Sequence, residues 1–199
     1  MFTGPSWGSI LARVALPKGL TGGDATVSPA GTTLYVSAEN AAARTVILEY
    51  DARTGRKLAV AAGVPIRYAL AGAELTAVPG GVWASFRTGM EGLTIHLGGP
   101  GLRMITPPGP RILRGPPTGV FHWVMDETTG YGGGALWAAN VYGIVACLDP
   151  RTGTIRASER IPQSGLISGF AAFDPAARTI LAFQDGDLLQ ITPPRRCWA

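Results

Sequence analysis

From Ala135 to Arg160 the chain reads ALWAANVYGIVACLDPRTGTIRASER. This is an apolar run, a Gly break, a second apolar run, an Asp-Pro-Arg-Thr-Gly turn signal and a third run. Runs of about five β-branched and aromatic residues separated by Gly, Pro and Asp are strands joined by tight turns, so the stretch predicts one small antiparallel sheet. Such a sheet cannot shelter its two apolar faces alone. The chain must therefore supply more sheets of the same kind to cover it.

It does so at near-regular intervals. A first unit over about 24–64 contains Ala25 to Ser28, Thr33 to Ala38, Thr45 to Asp51 and Arg56 to Ala61. A second, about 70–106, holds ELTAV, VWASF, LTIHL and LRMIT. A third, about 120–161, opens with VFHWVMD as its first strand and then a Gly-rich excursion, ETTGYGGG. A fourth, about 166–192, holds ISGFAAFD, TILAF and LLQIT before Pro193-Pro194 stops the pairing. The second strands align at Leu34, Val82, Leu136 and Ile180, which are 48, 54 and 44 residues apart. Four short strands per 40-odd residues is the period of a propeller blade. No window keeps the 3.6-residue apolar period of a helix.

The expectation is an all-β, β-propeller-like chain of about four blades, 1–199 forming a single domain. The fourth unit stops after three strands, while residues 9–16, SILARVAL, form a lone strand of the outer type. The N-terminal strand is thus expected to complete the last blade, a closure that removes an open sheet edge. Because four blades are few, the other expectations are a partial propeller cut from a larger parent, or a homodimer of two copies filling a larger ring.

Composition narrows the function. Gly 28 and Pro 16 agree with many turns, and charged residues make up only 15%. The net charge of +4 comes from arginines scattered along the chain, with no run longer than Arg195-Arg196. Nucleic-acid proteins gather such charge on one element, so no nucleic-acid partner is expected. No apolar run reaches the length of a membrane span, and the N-terminus lacks a basic start followed by a long apolar core.

The turns Leu148-Asp149-Pro150-Arg151-Thr152-Gly153 and Tyr50-Asp51-Ala52-Arg53-Thr54-Gly55, with the strands TLYVSAEN and ALWAANVYG, resemble the repeats of the quinoprotein-like and YVTN-type β-propeller superfamily. The resemblance implies a propeller fold shared by enzymes and binding modules alike. No cofactor is expected from it, since only two of the four units keep the turn and the Trp positions that dock quinoprotein blades do not recur.

The function expected is a non-enzymatic binding or scaffold module for a protein or small-molecule ligand. The alternative is a lactonase-like hydrolase or lyase in which His122, beside Asp126 and Glu127, forms the site; His96, the other histidine, alternates within LTIHL and faces either an adjacent blade or solvent. Asp51 and Asp149 read as turn formers, and Trp83, Trp123 and Trp137 as wedges between blades more than as a ligand funnel. Cys147 and Cys197 lack metal-ligand spacing and are either a disulfide or two inert thiols. A disulfide implies an extracellular or cell-surface location, and free thiols a cytoplasmic one.

Overall fold

The computed structural model describes residues 14–42, 44–61, 73–88, 91–99, 102–106, 128–139, 143–161, 167–184 and 186–198. Among them are fifteen strands and a single 3₁₀ turn, Arg195–Cys197. The first sheet holds β1 (Leu20–Val27), β2 (Thr33–Asn40), β3 (Thr45–Asp51) and β4 (Lys57–Val60). The second holds β5 (Ala73–Val78), β6 (Gly81–Thr88), β7 (Glu91–Gly98) and β8 (Arg103–Thr106). In the third, β9 (Thr128–Gly132), β10 (Ala135–Ala139), β11 (Ile144–Leu148) and β12 (Ile155–Arg160) follow in turn. The fourth has β13 (Ile167–Asp174), β14 (Thr179–Gln184) and β15 (Asp187–Ile191). Every sheet is antiparallel with strands in chain order.

The first strands of the sheets lie side by side: β1 against β5, β5 against β9, β9 against β13. Among the described residues no comparable contact joins β13 back to β1. The chain is therefore a propeller-like arc of four blades that does not close, as its repeat predicts for a partial ring.

Three apolar cores fill the gaps between blades, and strand alternation assigns their residues. On β2, Tyr35 turns forward and packs with Leu75, Val82 and Ile95 of the second blade. In the same pairing position on the next blade, Trp83 joins Leu136, Ala138 and Leu148 of the third. Trp137 then joins Ile167, Ile180 and Ala182 of the fourth. Burying such side chains contributes roughly 1.5–3 kcal/mol each, and no blade could bury them without its neighbour. Trp83 and Trp137 thus wedge between blades and do not line a funnel; Trp123 lies outside the described residues.

One expectation needs correction. The Gly-rich segment read as an excursion is itself the first strand of the third blade, β9, with Thr129 paired to Ala138 and Gly130 to Trp137. Glycine is required there because the next blade approaches so closely. A Cβ on Gly132 would collide with the Phe173 ring, and one on Gly130 would stand 2.8 Å from the same ring. Propensity hides such a strand, since glycine lowers it while close approach demands it. VFHWVMD lies outside the described residues.

Of the N-terminal strand expected over 9–16, residues 9–13 lie outside the described residues. Among the described residues the fourth sheet has three strands, and residues 14–16 run against the first blade. Val14 and Leu16 pack on the outer face of the first blade, over Ala38, Leu48 and Tyr50. The Tyr50 hydroxyl donates to the Ala15 carbonyl at 3.4 Å. Apolar cover for an otherwise bare sheet face is what fixes the segment there.

Candidate functional site

Polar groups on the first strands tie the blades together by a repeated device. Asp24 on β1 accepts the backbone N–H of Leu75 on β5 through Oδ2 at 2.7 Å. Glu74, immediately before Leu75, accepts the backbone N–H of Thr129 on β9 at 3.3 Å and the Thr128 hydroxyl at 3.0 Å through Oε1. Each carboxylate thus reaches forward to the matching residue of the next blade, and a hydrogen bond to a charged group is stronger than a neutral one. Ser37 adds a buried link, accepting from the Asp24 N–H at 2.8 Å and donating to the Ala73 carbonyl at 3.0 Å. Thr76 and Thr129 share a further hydrogen bond at 2.7 Å. These side chains hold the arc's curvature and are committed to one another.

The Asp turns do local work. Asp149 Oδ1 accepts from the backbone of Arg151 and Thr152 at 3.0 Å each, and Oδ2 pairs with the Arg156 guanidinium at 3.0 Å. Partial burial raises its pKa, but the Arg156 contact and the hydrogen bonds from Thr152 and Arg151 outweigh this and lower it to about 2. Asp51 repeats the turn, accepting from Thr54 N–H at 2.7 Å and Thr54 Oγ1 at 2.8 Å. These contacts from Thr54 hold its carboxyl below the usual range.

The second blade grips the Asp149 turn. Trp83 Nε1 donates to the Pro150 carbonyl at 2.7 Å, and His96 Nδ1 meets the Arg151 carbonyl at 3.0 Å. The indole covers Gly153, whose φ of 71° allows the reversal and whose missing Cβ makes room for the ring. His96 is buried beneath Trp83, and that burial pushes its pKa down, against a smaller rise from the Arg151 carbonyl. It has the surroundings of a structural histidine. His122, Asp126 and Glu127 lie outside the described residues.

At the outer rim, between the third and fourth blades, lies an open groove of about 350 Å³. Its floor is apolar, with Trp137, Val145, Ala157 and Ile191, and Glu159 and Arg196 are among the residues at its rim. Strands β12 and β15, each the outermost of its sheet, run along its two sides. The groove is the place where a fourth strand of the last blade would stack on β12. Cys147 on β11 and Cys197 after β15 join here as a disulfide, their Cα atoms 5.6 Å apart. Trp198 follows, tilted against Trp137 with ring centroids 5.2 Å apart. The groove went unread in the sequence, because its two sides come from strands about thirty residues apart and no motif marks either.

No known sequence family and no curated protein matches the chain. Solved structures match it by shape. The β-propeller domain of Myceliophteria thermophila Cps50 (Swd1) superposes with a TM-score of 0.59 at 18% identity, covering 87% of this chain and 54% of that one. BamB from Moraxella catarrhalis gives 0.54 at 13%, covering 84% and 41%. The chain spans about half the length of these natural propellers. The computationally designed Ika4 protein gives 0.55 at 12% identity, covering 94% of this chain and 99% of that one. At these identities the similarity is one of fold: the four blades form a β-propeller architecture, open at both ends of the arc.

Proposed function

We propose that this chain is a non-enzymatic binding or scaffold module whose ligand is an extended polypeptide segment laid along the groove between β12 and β15. The observation that carries this reading is the groove itself, which joins an apolar floor to an outermost strand. A sheet edge takes up a peptide by main-chain hydrogen bonding, with pockets receiving alternate side chains. β15 offers five residues for such pairing, and Ala157, paired directly with Cys147, lines the groove beside the disulfide.

The repeats belong, in this reading, with the quinoprotein-like and YVTN-type blades that their Asp-x-Arg-Thr-Gly turns resemble. The Cys147–Cys197 link supports an oxidising compartment, extracellular or cell-surface, since cytosolic reductants keep thiols open.

Panning a random peptide library against the oxidised protein tests the ligand class. The expected result is enrichment of peptides with alternating apolar residues, whose binding falls at least about tenfold in Ala157→Trp, where the indole fills the groove. Failure to enrich any peptide, or binding indifferent to Ala157→Trp in a variant that stays folded, overturns the reading.

A further inference from the structure

We propose that two copies of this chain join head to tail, the outward face of the fourth blade of one copy packing on the first blade of the other. The inference follows from the repeat and uses a surface separate from the groove. Each internal junction has the same construction: a forward face carrying Tyr35, Trp83 or Trp137 meets a backward face of small and branched residues. Leu136 and Ala138 are the backward pair of the third blade, Ile180 and Ala182 that of the fourth.

The same two faces stand at the ends of the arc with no neighbouring blade against them among the described residues. On the fourth blade, Leu181 occupies the position of Trp83 and Trp137. Phe183 follows on the same face and is paired across to Leu188. Phe183 is 47% exposed and Leu188 54%. Two large apolar side chains in a direct cross-strand pair, open to water, mark a surface made to be covered. On the first blade the backward face carries Leu34, Val36 and Ala38, the pattern of Leu136 and Ala138 in the third. Val14, Leu16 and Leu20 cover part of it, leaving Leu34, Val36 and Val46 half-buried.

A forward face fits a backward face, not another forward face, so the contact joins unlike surfaces. Such contacts either close into a ring or run on as a filament. Rings of this architecture hold about 4 to 8 blades, and two arcs of four, each supplying one forward and one backward face, complete a ring at the upper end of that range. The chain's coverage of 41% and 54% of the natural propellers agrees with an arc that is half of a ring.

Sedimentation equilibrium on the whole chain across the micromolar range tests this. The expected mass is twice 20.7 kDa. Phe183→Asp with Leu188→Asp weakens the association at least about a hundredfold with an unchanged far-ultraviolet spectrum. Leu58→Asp, at an exposed leucine on β4, leaves it intact. Hydroxyl-radical footprinting of the unaltered chain supplies an independent readout, with Phe183 protected only at concentrations where the dimer forms. A monomer at every concentration, open-ended polymers, a dimer that survives the double substitution, or a Phe183 that is reactive within the dimer each overturns the proposal.

Discussion

Trp83 lies flat on His96, ring centroids 4.6 Å apart and planes 8° from parallel, and together the two side chains hold the Asp149 turn of the next blade. Sixty-seven residues separate Trp83 from the carbonyl it donates to. The contact makes a local turn into part of a junction between sheets.

Replacing Trp83 tests that junction. Trp83→Ala removes the ring over Gly153, the stack on His96 and the donor to Pro150, and is expected to cost about 3–5 kcal/mol in urea unfolding. Trp83→Phe keeps most of the bulk but leaves the Pro150 carbonyl without its donor. Its expected cost is smaller, about 1–3 kcal/mol. Equal losses in the two variants would show that the ring's bulk adds nothing beyond the hydrogen bond to Pro150.

His96 makes stability depend on pH. Its folded pKa is lowered below the ordinary histidine value of 6.5, first by burial. The folded state therefore binds fewer protons than the unfolded chain in the window below pH 6.5. The contribution is fully present above that pH and is lost as pH falls toward the folded pKa. Urea midpoints measured from pH 8 to pH 5 are expected to fall for the unaltered protein and to flatten in His96→Phe. An unchanged slope in that variant would assign the dependence to other groups.

The carboxylate links between blades predict unequal effects from one chemical change. Asp24→Ala leaves the buried Leu75 N–H without its acceptor and is expected to cost about 1–2 kcal/mol. Glu74→Ala removes an acceptor shared by Thr128 and Thr129, with a larger loss. Amide hydrogen exchange at Leu75 and Thr129 reads the two links separately: each amide is expected to speed up only in the variant that removes its own acceptor.

The Cys147–Cys197 link closes a span of 50 residues. Restricting the unfolded chain over such a span stabilises by about 4 kcal/mol in the chain-entropy account. Thiol titration of the denatured, unreduced protein is expected to find no free thiol. Cys147→Ala with Cys197→Ala is expected to unfold at markedly lower urea, and an unchanged midpoint would deny the link its structural weight.

Local chemistry was readable in the chain. Asp51 and Asp149 sit within a few residues of every group that satisfies them in their turns, so an Asp followed by Thr and Gly is enough to foresee the reversal. Alternating apolar residues likewise announced the strands TLYVSAEN and VWASF, because a pleated strand turns successive side chains to opposite faces. The 48-, 54- and 44-residue spacing carried the blade count.

What the tertiary structure decided is whatever depends on which blade stands next to which. Thr128–Gly132 is a strand by its pairing with β10, and its glycines are needed because Phe173 and Phe170, about forty residues on, leave no room for a Cβ. Val14 and Leu16 pack over Ala38, Leu48 and Tyr50, more than twenty residues on, because the first blade offers them an apolar face. The groove beside the disulfide exists only where β12 and β15 meet. A chain's periodicity specifies its repeating sheets, since each is built from neighbours in sequence; the contacts between sheets join residues far apart, and only the packed arc brings them together.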